Sequence, residues 1–331
     1  MRPGAADEPA LFFTCSFPVS RGGAHCPSLR AGTSRGSRPL VPDRAVPGNF
    51  GPMSDAQPAT RSAEVVDPVD VVDVVMVGGG NMGAALLGGM IESGVFAPGT
   101  LAVVELLDDR RNELMDMFPG VAVVDTIPPC RSAVLAVKPP GVPGATSAAV
   151  AAGATRLLSI AAGVNIATIE AAAGDDVAVV RCMPNTPALV GKGASAIAGG
   201  STATDDDLGW AESVLGAVGI VDRLPERQLD AFTGVAGSGP AYIFLIAEAL
   251  IDAAVAEGIE QSTADRVVSQ LLLGASTLLA RDGDPATLRR NVTSPNGTTA
   301  AGLGVLDAHD VRGAFAAAVR AATERSRELG A

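Results

Sequence analysis

Lysine is almost missing from this chain. Of 24 basic residues only Lys138 and Lys192 are lysines, and no basic run or aromatic–basic stretch occurs. With 36 acidic residues and a net charge of −12, the sequence lacks the electrostatic footprint of a nucleic-acid binder. Cysteine is sparse too: Cys15, Cys26, Cys130 and Cys182 are scattered, with no C-x-x-C spacing. That excludes a disulfide framework or a zinc site and fits a reducing cytoplasm, so the expected location is cytoplasmic and no metal is expected. One Trp, one Tyr and nine Phe leave the core to Ala, Val, Leu and Gly. No uninterrupted apolar segment reaches the ~20 residues that cross a bilayer, so no membrane partner is expected.

What is present suffices for two domains: 331 residues, 47% of them hydrophobic. Residues 1–68 stand apart, with ten of the 23 prolines and no apolar periodicity, and read as a disordered leader. Its short apolar patch follows Asp7 and Glu8, where a signal peptide carries positive charge. Met53 opens a segment resembling a natural start, so residues 1–52 are expected to be a start-site artefact.

From residue 69 the pattern is that of an α/β protein. Short β-branched runs at 71–77, 101–105, 121–124, 133–137, 156–160, 177–182, 195–198 and 220–222 read as strands. Helical spacing at 81–93, 109–118 and 205–217 falls between them. This predicts a Rossmann-like, doubly wound sheet over 69–225. Beyond it, 228–235, 240–257, 262–281, 285–292, 299–306 and 311–328 read as helices, giving an all-α domain over 226–331. These helices are apolar on more than one face, which predicts burial against a second copy of the chain.

Gly78-Gly79-Gly80-Asn81-Met82-Gly83 follows the first strand and opens a helix with G-x-G-x-x-G spacing. The first glycine permits the turn, the second lets backbone approach a pyrophosphate, and the third packs helix on strand. The strand before it, the helix after it and the next βα unit make a dinucleotide site the reading. Glu105, closing the second strand, stands where an acid accepts from a ribose 2′-hydroxyl, which favours NAD. Arg110 and Arg111 could clamp a 2′-phosphate, favouring NADP, while Asp108 and Asp109 oppose that clamp. Ala136-Val137-Lys138-Pro139 follows the fourth strand, at the edge where such sheets bind ligands. Asn185, between two prolines in Met-Pro-Asn-Thr-Pro, suits a nicotinamide carboxamide or a structural turn leaving the sheet. The Gly/Ser joint at 234–242 reads as the entry to a long helix, or as a hinge.

A second polar segment, Asn291-Val-Thr-Ser-Pro-Asn-Gly-Thr-Thr-Ala300, lies about two hundred residues beyond the glycine motif. It holds more polar residues than one helix cap needs and suggests a substrate side, although capping hydroxyls at a helix N-terminus would account for it when read alone. In order, Gly78–Gly83, Ala136-Val-Lys-Pro139, Leu158-Ser-Ile-Ala-Ala-Gly163, Met-Pro-Asn-Thr-Pro-Ala, Gly-Ser-Gly-Pro-Ala-Tyr and Thr-Ser-Pro-Asn-Gly-Thr-Thr make a specific set. Carrying it, the chain resembles the pyrroline-5-carboxylate reductases from about residue 70 onward. The resemblance implies reduction of 1-pyrroline-5-carboxylate to L-proline with NADPH, or NADH in its place. It also implies helical domains interlocked as dimers, and dimers assembled into rings such as decamers. It adds Ala161, Ala162, Gly163 and Asn291 to the cofactor contacts. It gives the substrate carboxylate to Ser294, Gly297, Thr298 and Thr299, and the imine nitrogen to the Thr299 hydroxyl. The family usually has Gly-Gly where this chain has Asn296-Gly297. Asn is the residue after Gly that best tolerates left-handed backbone, so the loop shape is expected to survive.

An imine is basic enough to arrive protonated, so its reduction requires no strong general acid. A 2-hydroxy-acid dehydrogenase commonly uses His, and here His25 lies in the leader and His309 between two late helices. The histidine shortage therefore favours imine over carbonyl reduction. The competing readings are a β-hydroxy-acid-class reductase on the same architecture and a nucleotide-binding protein without turnover.

Overall fold

The computed structural model describes residues 71–330. The leader read at 1–68, with Met53, Cys15, Cys26 and His25, falls outside the described residues, as do 69, 70 and 331. Eight strands form: β1 Val72–Val77, β2 Leu101–Val104, β3 Ala122–Val124, β4 Cys130–Leu135, β5 Arg156–Ser159, β6 Ala178–Met183, β7 Gly193–Gly199 and β8 Gly219–Arg223. The helices among them are α1 Asn81–Glu92, α2 Asp108–Met117, α3 Val142–Ala151, α4 Ile166–Ala173 and α5 Asp205–Gly216. Every strand read from the sequence is present. Helices α3 and α4 lack a clear sequence signature, since Pro143-Gly144 opens one and the other is a single Ala-rich stretch of eight residues.

The strands make one sheet, ordered β3-β2-β1-β4-β5-β6-β7-β8 and parallel except where β6 meets β7. Strand order reverses between β1 and β4, and such a switch point opens a crevice at the strands' C-terminal ends. Alternation along β1 sends Val74 and Met76 to one face and Val75 and Val77 to the other. Val74 and Met76 share a core with Leu86, Leu87 and Met90 of α1 and Leu215 of α5. Val75 and Val77 share the opposite core with Val142 and Ala149 of α3 and Ile169 of α4. Helices thus cover both faces, as a parallel sheet requires.

Beyond β8 the chain is helical: α6 Leu229–Phe232, α7 Gly239–Ala256, α8 Gln261–Asp282, α9 Pro285–Asn291, α10 Thr298–Ala308 and α11 Val311–Leu329. The Gly/Ser joint is a π-helical turn, Thr233–Gly237, that carries α6 into α7 without a break. Gly234 lies against α11, where an added Cβ would sit 2.7 Å from the Val319 carbonyl oxygen. The glycine therefore serves close helix approach, and the Tyr242 hydroxyl donates to its carbonyl at 3.2 Å.

Polar ties at this junction include Arg181 to Glu226 at 2.9 Å, Ile166 N–H to Glu226 at 2.7 Å, Asn165 to the Gly330 carbonyl at 3.3 Å and Ser326 to Asp230 at 2.7 Å. Helices α7 to α10 instead leave Phe244, Leu245, Leu273 and Val305 about 60% exposed, between 59% and 64%. With the π turn bridging its start, the run Glu226–Ala256 is long and apolar enough, by length and composition, to cross a bilayer. It carries Glu226, Arg227, Asp230, Glu248 and Asp252.

Candidate active site

The glycine motif sits at the switch point. Gly78 turns the chain out of β1 with φ of 110°, and a Cβ there would lie 2.6 Å from the Ala136 carbonyl oxygen. Gly83 packs so closely that a Cβ would lie 2.1 Å from the Gly78 carbonyl oxygen. A Cβ on Gly80 would meet nothing within 4 Å, so its backbone faces open space. Helix α1 begins there with no side-chain cap and no acid in its first turn. Its first intrahelical hydrogen bond is Ala84 N–H to Gly80 C=O, at 2.8 Å. The N–H groups of Asn81, Met82 and Gly83 are therefore free to meet an anion, and the cradle fits a dinucleotide pyrophosphate.

The adjoining groove has a volume of about 1080 Å³ and is walled by Gly78, Gly80, Glu105, Ala136, Val137 and Lys138. Pro139 opens the short turn after that wall. Asp125, Thr126 and Ile127 also line the groove, and sequence reasoning passed over them. The available signal was their position just past β3, whose neighbour β2 ends in Glu105.

Glu105 is held by backbone. Its Oε1 accepts from the Leu106 and Leu107 N–H groups at 2.8 and 3.1 Å, and its Oε2 accepts from Gly79 N–H at 3.2 Å. The two arginines weighed for a phosphate clamp are engaged elsewhere. Arg110 donates to the Gly79 carbonyl at 2.8 Å and pairs with Glu113 at 2.6 Å. Arg111 donates to the Glu105 carbonyl at 2.8 Å and pairs with Asp108.

Asn185 is a bridge. Its Oδ1 accepts from Ala194 N–H at 2.9 Å, and its Nδ2 donates to the Ala236 carbonyl at 3.1 Å. It thus closes the turn that reverses the chain into antiparallel β7 and ties that turn to the helical segment. Its amide thus takes part in a structural turn. Ala161, Ala162 and Gly163 follow β5, where Ala161 is buried and Gly163, with φ of 74°, faces Leu329 of α11. None of the three lines the groove.

The second polar segment links α9 to α10. Asn296 adopts left-handed backbone, φ 59°, in the turn closed by Gly297 N–H to Ser294 C=O at 3.1 Å. Helix α10 then starts at Thr298 without a side-chain cap or a first-turn acid. The N–H groups of Thr298 and Thr299 point out of the helix end. Among the described residues no hydrogen bond engages the hydroxyls of Ser294, Thr298 or Thr299, whereas Thr293 donates to the Arg289 carbonyl at 2.6 Å. Asn291 is the exposed last residue of α9. Within one chain α9 packs on α8 and α10 on α11, and no residue of 291–300 lines the groove. His309 is the exposed cap of α10. Cys130 and Cys182 are buried free thiols, and burial pushes Cys130 up to about 11, so neither is a ready nucleophile. No group of three or more metal-ligating side chains occurs among the described residues.

A doubly wound sheet with a glycine cradle at its switch point, joined to helices with exposed apolar faces, defines an oligomeric dinucleotide-dependent oxidoreductase. The family model for pyrroline-5-carboxylate reductase dimerisation matches residues 226–329. A pyrroline-5-carboxylate reductase of Synechocystis is 39% identical over 265 residues, covering 78% of this chain and 98% of the relative. The chain belongs to the pyrroline-5-carboxylate reductase family. The enzyme of that name from Arabidopsis thaliana is 36% identical, covering 79% of this chain and 97% of the relative. A solved reductase structure from Coxiella burnetii superposes with TM-score 0.73 at 33% identity, covering 79% of this chain and all (100%) of that one. The Plasmodium falciparum reductase, solved with NADP bound, superposes with TM-score 0.68 at 27% identity, covering 78% and 98%. The dimerisation model spans the helices whose apolar faces are exposed in the single chain.

Proposed function

We infer that this chain reduces 1-pyrroline-5-carboxylate to L-proline, closing proline biosynthesis, with a reduced nicotinamide dinucleotide as donor. The observation that carries this is a pair of uncapped helix N-termini, one at α1 beside the groove and one at α10 beside three free hydroxyls. The first suits a pyrophosphate and the second a carboxylate. The dinucleotide supplies the hydride when bound.

The chain's own residues do the rest. The N–H groups at 81–83 hold the phosphates, and Ala136, Val137 and Lys138 wall the groove, with Pro139 turning the chain after them. Ser294 and the N–H groups of Thr298 and Thr299 orient the substrate carboxylate. The Thr299 hydroxyl hydrogen-bonds the ring nitrogen, which is already protonated, so no strong acid is required. Asn291 reaches the cofactor from the same segment. Since 291–300 does not line its own chain's groove, a second copy completes the site, and dimers build a larger ring such as a decamer. The division falls at 225, with a dinucleotide domain over 69–225 and a helical one over 226–331. The expected location is the cytoplasm. Family resemblance points to NADPH as the donor, while the charges lining the groove point to NADH.

A steady-state assay with 1-pyrroline-5-carboxylate and each reduced dinucleotide tests the reading, and proline should accumulate as the dinucleotide is oxidised. Turnover of an oxo acid instead of the imine would move the protein to the β-hydroxy-acid class. Dinucleotide binding without turnover of either would make it a binding protein.

A further inference from the structure

We propose that Glu105 makes this enzyme select NADH over NADPH. The assignment rests on the dinucleotide-reductase reading above and adds the residue that discriminates the donors. A carboxylate has about four lone-pair positions. Three are filled by the N–H groups of Gly79, Leu106 and Leu107, which hold the side chain at the groove wall. The remaining position, on Oε2, can accept from a ribose hydroxyl, and a hydroxyl can donate where a phosphate ester cannot.

The other charges at this end point the same way. Asp125, past β3, lines the same groove, together with apolar Leu106, Leu107 and Ile127. Its one lysine, Lys138, follows β4, across the switch point from β2 and β3. Arg110 and Arg111 follow β2 in the chain, yet each guanidinium is committed to a backbone carbonyl and a neighbouring carboxylate. Neither lines the groove. A 2′-phosphate carries a charge of about −1.5 to −2 near neutral pH. It would enter beside two carboxylates, and both nearby guanidiniums already hold a carbonyl and a carboxylate, whereas the unphosphorylated ribose brings only donors.

Dissociation constants of NADH and NADPH should be measured on the purified full chain by cofactor fluorescence without imine, then kcat/KM for the imine with each. Wild-type protein should bind NADH about tenfold or more tightly than NADPH, the value of one hydrogen bond to a charged group. Glu105→Gln should bring that ratio close to one. Asp125→Asn, at an exposed position, should tighten NADPH relative to NADH about threefold, one charge repulsion in a partly screened site. NADPH binding as tightly as NADH to the wild type would overturn the proposal. So would a Glu105→Gln variant weakened equally toward both, which is the signature of a purely structural carboxylate. NADH selectivity without imine turnover would sink the proposed reaction and leave this assignment standing. Imine turnover that prefers NADPH would do the reverse.

Discussion

At the scale of single residues, Asn296 is where this chain leaves its family's Gly-Gly pattern, and its backbone is left-handed with φ of 59°. Side chains other than Gly pay about 1–2 kcal/mol for that geometry, with Asn the cheapest. Asn296→Gly should therefore leave the imine KM within about twofold, whereas Asn296→Ala should raise it about tenfold as the loop relaxes. Steady-state kinetics at saturating cofactor separates the two. If its hydroxyl hydrogen-bonds the ring nitrogen in the transition state, Thr299→Ala should lower kcat about 10- to 100-fold with little change in KM. Unchanged kcat would remove Thr299 from the mechanism. The left-handed turn was legible from Asn and Gly side by side. The engagement of Asn185 was not, because its partners Ala194 and Ala236 lie nine and 51 residues away.

At the scale of elements, β1 and α1 meet across Gly83, where any side chain would collide with the Gly78 carbonyl. Gly83→Ala should cost about 2–4 kcal/mol, read by urea unfolding, and abolish dinucleotide binding. Helix α5 carries a pH-dependent contribution of its own. Thr204 caps it in a reciprocal box with Asp207, and Arg156 pairs with Asp207 at 2.6 Å while stacking over Trp210. Burial pushes the Asp207 carboxyl up, but hydrogen bonds from Thr204 and Arg156, with the arginine's charge, outweigh it and hold the group below its usual range. A lowered folded-state value stabilises fully above the unfolded value of about 3.9 and is lost as pH falls through the folded one. Asp207→Asn should thus lower the melting temperature near neutrality, and the two proteins' curves should converge in acid. Trp210, the only tryptophan, reports this by fluorescence.

At the scale of the molecule, the sheet buries its own core while α7 to α10 keep apolar faces exposed in the single chain. A family model for dimerisation spans those helices. Leu245→Glu or Leu273→Glu, each placing a charge on such a face, should shift sedimentation toward the monomer and reduce turnover in proportion. Retained oligomers would place the interface elsewhere. Dinucleotide binding should persist in the monomer, weakened by the loss of the second copy's Asn291 segment, since the groove itself is built within one chain.

The sequence by itself determined the sheet, the glycine cradle and the polar segment at 291–300. Buried parallel strands need β-branched runs, a pyrophosphate needs glycine backbone, and left-handed turns need Asn or Gly. All three are local demands, written within a few residues. The tertiary structure alone decided which charges line the groove. Arg110 and Arg111 sit in the chain where a phosphate clamp could form, but Gly79, 31 residues from Arg110, and the nearby acids draw them away. It likewise brought Asp125 to the groove of Glu105 and gave Asn185 to the turn before β7. Those outcomes depend on which strands become neighbours, and strand order is a property of the packed sheet rather than of any one segment.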